Sequence, residues 1–460
     1  MMNKDLLIEI TPTLSKVRTR NGAAIDMLAN FLMFDDQSSQ FVTVRGKVRR
    51  RTNATYISLF DLQDKTFPSG LLSVVCKQLK KENFSFDIVS KENPVPPNNE
   101  PTSWLRQEQH EAVERALYRR RGILWIPTGG GKTEIAIGLT MRVPTKWLFV
   151  VHKKDLLHQT AERYTRRTGK KAGRIGDGIF DTEDFTVATF QTLARGLAKK
   201  DPLVQGFLKG IGGLIVDECH TLPATSFLKV IMSCENASYR IGLSGTPLAR
   251  GDKRGIFAIG ALGPVIYRIH PDTLIKAGLL AKPTIYMMRL EQNSTKPTWQ
   301  GVYGDTVVRS ALRNKSLVEI SKLAEKPAML FVKEIKHGQA LEKMIRKAGV
   351  RCEFIWGNKI TPQRTAAIRR LERGDIQVLI VSVIFQEGVD IPSLRSVIIA
   401  SAGKSSIAAI QRVGRGMRMY ENKKEFQVWD FFDYGHKTLE KWSKARKKAY
   451  LAEGYEIIEK

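Results

Sequence analysis

Short apolar runs, each followed by a turn-like cluster and a helical segment, constrain the fold of this chain most strongly. In the first half they read GILWI, WLFVV, GGLIV and YRIGL, and in the second half AMLFV, CEFIW, QVLIV and SVIIA. Runs this short and continuously apolar are typical of strands that are buried on both faces of a parallel sheet. Because the pattern pauses from Asn293 to Asp305 and then restarts, the sequence predicts two doubly wound α/β domains in series.

A segment rich in proline and asparagine, residues 93–103, separates these domains from an N-terminal region. In residues 1–92, FVTVRGKVRRR and TYISLF alternate like strands and LLSVVCKQLKKENF looks helical, which predicts a small α+β domain. A chain of 460 residues is also too long for one ordinary core. The expected boundaries are a small domain at 1–92, a linker at 93–103, a first α/β domain at 104–288, a second at 289–435 and a basic C-terminal tail at 436–460.

The formal net charge of +28 indicates a polyanionic partner, with nucleic acid as the first choice and an anionic membrane surface as the second. No apolar run has the length of a membrane-spanning helix, and acids occur early in the N-terminal sequence, which argues against a secretory signal or transit peptide. The four cysteines are scattered without a CxxC pair, which argues against a disulfide framework, a zinc ribbon and an iron–sulfur cluster. We expect a cytoplasmic protein.

The run GILWI leads into PTGGGKTEIA, Pro127 to Ala136. Ligands of open α/β sheets gather beyond the carboxyl ends of the strands, and a glycine-rich loop lets backbone N–H groups close around phosphate oxygens at a helix N-terminus. We therefore expect Lys132 to neutralise the β- and γ-phosphates of ATP and the Thr133 hydroxyl to ligate Mg²⁺. The strict phosphate-loop pattern has glycine where this chain has Ile126, and the alternative interpretation is a glycine-rich turn.

The run GGLIV ends in Asp217, Glu218, Cys219 and His220. A zinc site would need further Cys or His residues at suitable spacing, and no second Cys/His pair exists in the sequence. We expect Asp217 to hold Mg²⁺ through water and Glu218 to orient the attacking water. Cys219 and His220 are then expected to pack and to signal rather than to bind metal.

Together with these two motifs, a series of further motifs resembles the superfamily two helicases and translocases from Trp104 to about Asp433. In chain order the further motifs are LRQEQ, VVHKKDLLHQ, ATFQTL, LSGTP, FVKEIKHG, VSVIFQEGVDIP and QRVGRGMR. Each alone has an ordinary interpretation: LSGTP could be a turn, VSVIFQEGVDIP a strand with its exit loop, and QRVGRGMR a solvated basic helix. In this order they are far more specific. The resemblance implies two tandem RecA-like motor domains.

The resemblance also implies roles for individual residues. ATP would lie between the two domains, and Arg415 and Arg418 would stabilise the transition-state charge. Ser244 and Thr246 would relay the nucleotide state to the nucleic-acid surface. Further nucleotide contacts would come from Arg106, Gln109, Thr128, Gly129, Gly130, Gly131, Gly388, Asp390 and Gln411. Phosphates of a nucleic-acid strand would be bound by His152, Lys153, Thr189, Gln191, Ser382 and Gln386.

The stretch from Leu262 to Tyr286, combined with DECH, QEGVDIP and the basic N-terminal region, most resembles the phage-type, UvsW-like branch-migrating helicases, which have RecG-like activity. This resemblance implies remodelling of forks, four-way junctions and D- or R-loops in recombination, repair or replication, in a bacterial or phage-infected cytoplasm. VRGKVRRR, Val44 to Arg51, would then bind phosphates, although a solvated strand-and-turn surface is an equal interpretation. The alternatives are a DExH-type RNA helicase, a duplex DNA translocase without strand separation, and a non-catalytic nucleic-acid-binding protein with a motor fold.

Overall fold

The computed structural model describes most of the chain. The described residues are 5–36, 40–44, 47–51, 55–221, 225–245, 255–357, 361–382, 391–403, 413–414, 416–421, 423 and 425–460. By internal contacts the chain divides into one unit of Met1–Ile126 and Gly131–Arg268 and another of Pro127–Gly130 and Ile269–Lys460. Among the described residues, no helix has both the length and the apolar character needed to span a bilayer.

The N-terminal region has the α+β character that its sequence predicts. Its elements are β1 (Leu6–Ile10), β2 (Leu14–Arg18), α1 (Gly22–Phe31), β3 (Met33–Asp36), β4 (Gln40–Val44), β5 (Lys47–Arg51), β6 (Thr55–Ser58), β7 (Thr66–Pro68), α2 (Leu72–Lys81) and β8 (Phe86–Ser90). The main sheet has the order β7-β2-β1-β8, while β3 pairs with β6 and β4 with β5 in two antiparallel pairs. Val75 and Leu79 lie one turn apart on α2 and pack into a core with Ile8 and Leu28.

The first α/β domain contains an eight-stranded sheet. Its elements are α3 (Gln107–Arg119), β9 (Arg121–Trp125), α4 (Lys132–Arg142), β10 (Trp147–Val151), α5 (Lys154–Thr168), β11 (Gly173–Gly176), β12 (Ile179–Asp181), β13 (Phe185–Thr189), α6 (Phe190–Ala198), α7 (Pro202–Lys209), β14 (Gly213–Asp217), α8 (Thr225–Met232), β15 (Tyr239–Ser244), α9 (Gly255–Leu262) and β16 (Val265–Arg268). The order is β12-β11-β13-β10-β14-β15-β9-β16, and every pairing except β11 with β12 is parallel. GILWI, WLFVV, GGLIV and YRIGL form β9, β10, β14 and β15, which confirms their prediction as strands.

The second unit contains a seven-stranded, wholly parallel sheet. Its elements are α10 (Pro271–Lys276), β17 (Lys282–Glu291), α11 (Trp299–Tyr303), α12 (Ala311–Leu323), β18 (Ala328–Val332), α13 (Ile335–Lys347), β19 (Cys352–Ile355), α14 (Thr361–Arg373), β20 (Val378–Ser382), β21 (Ser396–Ile399), β22 (Glu425–Tyr434), α15 (Lys437–Ala452) and β23 (Glu456–Glu459). The order is β19-β20-β18-β21-β22-β17-β23. The four apolar runs of this half form β18 to β21, again as predicted.

The units differ from the expected boundaries at the start of the second domain and at the C-terminus. β17 pairs along its whole length with β22, so a boundary between residues 288 and 289 would cut a strand of the second sheet, and the second unit begins at Ile269 instead. Residues 436–460 are not a separate tail, because α15 packs against β22 and β23 pairs with β17. Because this region is rich in basic residues, its sequence did not indicate that it contributes a helix and a strand to the second unit.

Residues 93–103 do not act as a free spacer. The Tyr239 hydroxyl donates a hydrogen bond to the carbonyl of Val95 (2.9 Å), and the Asn98 N–H donates to the carbonyl of Arg142 (2.7 Å). Just before this segment, the Glu92 side chain is only 5% exposed and forms ion pairs with Arg120 and Arg121. The segment is therefore fixed along the surface of the first α/β domain.

The N-terminal region also packs directly against α9. Gly70 lies so close to this helix that a Cβ atom at position 70 would be 2.0 Å from the Ile259 carbonyl oxygen and 2.5 Å from that of Gly260. Ile256 and Ile259 of α9 contribute to the hydrophobic core of the N-terminal region. The N-terminal region and the first α/β domain therefore share a core, which explains why they form one unit.

We predict that Gly70→Ala weakens this packing. The added methyl group meets backbone atoms that cannot rotate away, and overpacking of this kind costs about 1–3 kcal/mol. The matched control is Gly22→Ala, because a Cβ atom at Gly22 would have no neighbour within 4 Å. Thermal unfolding should show a lower Tm for Gly70→Ala alone. Equal Tm values for the two variants would contradict the shared core.

Candidate active site

The loop between β9 and α4 has the backbone geometry of an anion-binding turn. Gly129 and Gly131 have φ angles of 84° and 86°, in the left-handed region that favours glycine. Gly131 is the N-cap of α4, and the Gly130 N–H donates a hydrogen bond to the carbonyl of Pro127 (3.0 Å). The first N–H groups of a helix lack partners within the helix and favour negative charge. The residues expected to cradle phosphate therefore occupy a suitable loop.

Lys132 and Glu218 form the central ion pair of this site, with 2.5 Å between Lys132 Nζ and Glu218 Oε1. Burial lowers the pKa of Lys132, but the charges of Glu218 and Asp217 raise it by more, so the pKa lies above its ordinary value. Burial likewise raises the pKa of Glu218, yet Lys132 and His220 lower it by more, so Glu218 remains a carboxylate. The pair brings a cation and a carboxylate together beyond the carboxyl ends of β9 and β14, which β15 separates in the sheet.

Asp217, at the end of β14, has a different electrostatic environment. Burial and the adjacent charge of Glu218 raise the pKa of Asp217 to about 6. Its Oδ1 accepts a hydrogen bond from the Glu218 N–H (3.0 Å). Glu218 itself has a φ of 47°, a conformation that is uncommon for a residue with a side chain. The backbone of Glu218 is therefore strained, and the direction of its carboxylate is fixed.

His220 connects this pair to the next strand. Its Nδ1 atom lies 3.2 Å from Glu218 Oε2 and 2.8 Å from the hydroxyl oxygen of Ser244, which is fully buried at the end of β15. A continuous polar chain therefore runs from Lys132 through Glu218 and His220 to Ser244. The sequence predicts a signalling role for His220 but does not reveal Ser244 as its partner.

Cys219 has a packing role. It is fully buried, and a Cβ atom on Gly242 would lie 2.9 Å from its sulfur atom. Burial raises the pKa of the Cys219 thiol, so the sulfur stays protonated. Within the described residues, no group of three or more His, Cys, Asp or Glu side chains could hold a metal ion.

The donor set fits ATP with Mg²⁺ better than a metal bound by protein alone. Carboxylate and hydroxyl oxygens, here from Asp217 and Thr133, are ligands that Mg²⁺ prefers, and Mg²⁺ usually takes its remaining ligands from water and substrate phosphates. Thr133 lies in the first turn of α4, next to Lys132. Asp217 and Thr133 would therefore hold a magnesium ion that arrives with the nucleotide.

Gln109 packs against the phosphate loop. It is 2% exposed, and its Oε1 accepts a hydrogen bond from the Arg106 N–H (3.1 Å) at the start of α3. A Cβ atom on Gly131 would lie 2.1 Å from Gln109 Nε2. The contact makes Gln109 a positioning residue for the loop, in addition to its expected role in nucleotide binding.

A cavity of about 480 Å³ lies beside the start of α3. Its lining residues are Thr102, Ser103, Leu105, Gln107, His110 and Glu111. Arg106 and Gln109, the residues expected to contact nucleotide here, do not line it. The motif LRQEQ therefore faces this cavity only through Leu105 and Gln107.

The residues expected to bind nucleic acid differ in exposure. Gln191 is exposed and its amide donates a hydrogen bond to the carbonyl of His152 (3.0 Å), while His152 and Lys153 are half-buried. Thr189 and Ser382 are only 4% and 3% exposed, which argues against direct phosphate contact by their side chains. Thr189 instead hydrogen-bonds the Thr192 hydroxyl at the start of α6 (2.9 Å).

The structure describes only some of the remaining candidate residues. Arg418 is half-buried, and its backbone forms a β-bridge with Leu280. Six candidates lie outside the described residues: Thr246, Gln386, Gly388, Asp390, Gln411 and Arg415.

Two families match the chain, one over each α/β domain. Residues 103–249 match "Type III restriction enzyme, res subunit", and residues 312–420 match "Helicase conserved C-terminal domain". The relative named ATP-dependent DNA helicase uvsW, from Enterobacteria phage T4, is 26% identical over 347 residues, which cover 71% of this chain and 68% of the relative. The DNA 3'-5' translocase XPB2 of Sulfurisphaera tokodaii is 26% identical over 358 residues, covering 68% and 78%. The match to a third relative, named Putative helicase 22, from Sulfolobus islandicus filamentous virus (isolate Iceland/Hveragerdi), covers only 64% of that protein's length.

Solved structures share the fold. The ATP-dependent Type ISP restriction-modification enzyme LlaBIII bound to DNA matches with a TM-score of 0.58 and 16% identity, covering 81% of this chain and 32% of that one. At this identity the likeness concerns the fold alone. It agrees with the two tandem parallel-sheet domains described above.

We predict that Lys132→Ala abolishes ATP hydrolysis, because the β- and γ-phosphates lose their point charge and Glu218 loses its partner. Glu218→Gln should still bind ATP but hydrolyse it more slowly, by on the order of 10²–10⁴-fold for loss of a general base. Nucleotide binding and phosphate release measure the two effects, with Lys209→Ala on the exposed end of α7 as the control. Wild-type turnover in either active-site variant would exclude the proposed roles.

A second prediction concerns the polar chain that ends at Ser244. Ser244→Ala removes the hydroxyl that contacts His220, while Lys132 and Glu218 keep their mutual contact. We expect ATP binding and unstimulated hydrolysis to remain within about threefold of wild type, since less than about 1 kcal/mol of transition-state stabilisation is lost. Stimulation of hydrolysis by nucleic acid should be lost. If nucleic acid stimulates ATP hydrolysis fully in this variant, Ser244 does not transmit the state of the nucleotide site.

Proposed function

Because the chain belongs to the superfamily two ATP-dependent helicases and is UvsW-like, we propose that it uses ATP hydrolysis to remodel branched DNA. The substrates would be forks, four-way junctions and D- or R-loops in recombination, repair or replication. The polar chain from Lys132 to Ser244 is the observation that supports this proposal most directly. It joins the phosphate-binding loop to the end of a different strand, so a change in the nucleotide can alter the structure beyond the nucleotide site.

The proposed catalytic roles follow from this arrangement. Lys132 binds the β- and γ-phosphates and Glu218 orients the attacking water, while Asp217 and Thr133 would hold Mg²⁺, which would neutralise charge on the phosphates. Arg415 and Arg418 are proposed to stabilise the charge that develops in the transition state. The remaining nucleotide-binding residues stay as proposed from the motifs: Arg106, Gln109, Thr128, Gly129, Gly130, Gly131, Gly388, Asp390 and Gln411.

DNA is the preferred nucleic acid in this proposal. The net charge of +28 favours phosphate-backbone contacts, which carry no base sequence information. The two relatives described above are named as a DNA helicase and a DNA translocase. Because several relatives extend well beyond the matched region, the whole activity and any replication or recombination partners remain part of the proposal. The proposed location is the cytoplasm, including that of a phage-infected host.

The N-terminal region would provide a second contact to a duplex arm. The strands β4 and β5, which carry most of VRGKVRRR, pair from Gln40 with Arg51 to Val44 with Lys47. Because this region shares a core with the first α/β domain, a contact made there would move with the nucleotide-binding domain. Pulling on one DNA strand could then do work against the other DNA strand.

We predict that ATP hydrolysis is stimulated most by forks and four-way junctions, less by linear duplex or single-stranded DNA, and least by RNA. A branch presents both a strand for the motor and a duplex arm for the N-terminal region. Hydrolysis rates with these five substrates, compared side by side, measure the preference, and Glu218→Gln serves as the control for contaminating ATPase. DNA affinity should also fall log-linearly with salt.

Two results would contradict this proposal. Stronger stimulation by RNA would favour the DExH-type RNA helicase. Stimulation by linear duplex without strand separation or branch movement would favour a duplex translocase.

A further inference from the structure

The buried face of α15 is tied to the second sheet through a charged pair. Arg446 and Asp430 are almost fully buried, with 2.9 Å between Arg446 Nε and Asp430 Oδ2, and the Tyr450 hydroxyl donates to the same oxygen (2.9 Å). Burial lowers the pKa of Arg446, but the charge of Asp430 raises it by more, so the guanidinium stays protonated. Removing one partner of such a pair would leave an uncompensated charge in the core. The helix is therefore held in one position against β22.

The same arginine also anchors the segment that leaves β21. Arg446 Nη1 donates to the carbonyl of Gly403 (3.2 Å), and Arg313 Nη1 donates to the carbonyl of Ala400 (3.1 Å). Arg313 is itself paired with the buried carboxylate of Asp433. Beyond Gly403 the sequence continues towards QRVGRGMR. The buried face of α15 therefore touches the chain that leads to this motif.

The opposite face of α15 is a row of lysines. Lys437, Lys441, Lys444 and Lys448 are exposed and follow one another at intervals of four, three and four residues, which places them on one side of the helix. At about 1.5 Å per residue the row is roughly 16 Å long. We call these four residues the lysine row.

A solvated helix surface usually mixes both signs of charge, whereas α15 contains one acid, Glu440. Glu440 pairs with Lys444 (2.6 Å), and an exposed pair of this kind contributes little stability. Within the described part of the chain, the other three lysines of the row form no ion pair with a carboxylate. The row therefore concentrates positive charge, which Glu440 alone among the residues of α15 offsets.

The position of the row suits a ligand of the motor. α15 begins shortly after the end of β22, so Lys437 lies at the carboxyl edge of the parallel sheet, where ligands of open α/β sheets gather. We propose that the lysine row binds the phosphate backbone of a duplex DNA arm. This inference rests on the proposed function, because it assigns a DNA contact to the second unit.

The composition of the row favours duplex over single-stranded DNA. Proteins that bind single strands stack bases on aromatic side chains. On α15 the aromatic side chains are engaged elsewhere: Tyr450 is buried, and Trp442 packs edge-on against Trp299 with 4.3 Å between ring centroids. The exposed face thus offers charge without a stacking platform, which matches phosphates and not bases.

The test replaces Lys441, Lys444 and Lys448 together with glutamine in the full chain. Loss of three phosphate contacts should reduce the slope of log affinity against log salt for linear duplex DNA by about 2 to 3, at roughly 0.9 per contact. The slope for single-stranded DNA should stay unchanged. Replacing the same lysines with arginine should retain the wild-type slope, and thermal unfolding checks that each variant is folded.

The matched control replaces Lys322, Lys343 and Lys347 with glutamine, which changes the charge equally on the exposed faces of α12 and α13. Lys322 pairs with Glu319 (2.8 Å) much as Lys444 pairs with Glu440. Two results would overturn the proposal that the lysine row binds duplex DNA. One is an equal slope for duplex DNA in the two triple variants, and the other is a reduction of the slope for single-stranded DNA or RNA only. If DNA fails to stimulate hydrolysis by the wild-type protein, the proposed function fails instead, whatever the variants show.

Discussion

Burial of the parallel sheets on both faces is the constraint on which the rest of this structure depends. A strand enclosed by helices can carry a charged side chain only where a partner of opposite sign or several backbone carbonyls meet it, because an unpaired ion in such a core is costly. Three ion pairs follow this rule at the strands and their exits: Lys132 with Glu218 in the first unit, and Arg313 with Asp433 and Arg446 with Asp430 in the second. Arg240 on β15 instead donates to three backbone carbonyls. The ion pairs add little net stability, but they fix the loops at the strand ends in defined positions.

This constraint also explains what the sequence could predict. Eight continuous apolar runs identified eight strands, because nothing but a buried strand suits such a run between turn-like clusters. β22 escaped because Asp430 and Asp433 interrupt its apolar pattern, and their partners lie outside the strand. Arg313 precedes Asp433 by 120 residues, so no local window shows that the carboxylate is buried. Missing β22 also displaced the domain boundary, since β17 pairs with β22 and β23 pairs in turn with β17.

In the candidate site, proximity could be predicted but contacts could not. Lys132, Asp217 and Glu218 follow two strands of one parallel sheet, and strand ends of such a sheet share an edge. The link from His220 to Ser244 depends on the order of β14 and β15 in the sheet, which sequence spacing does not give. For Thr189 and Ser382 the sequence predicted contact with nucleic acid, but both side chains are buried. A hydroxyl residue at a strand end can either contact a ligand or form hydrogen bonds inside the protein, and only its burial in the structure distinguishes the two.

The two units apply the same principle to different connections. In the first, His220 joins Glu218 to Ser244, so the state of the nucleotide-binding pair can reach the end of β15. In the second, Arg313 and Arg446 hold backbone carbonyls beyond β21, and the carboxylates that orient them lie three residues apart on β22. Residues three apart in a strand point to opposite faces of the sheet. The segment after β21 is therefore fixed from both faces at once, and a displacement of α15 would move one of its two anchors. A helix whose sequence resembles a disposable basic tail is thus part of the structure that fixes the described segment after β21, up to Gly403.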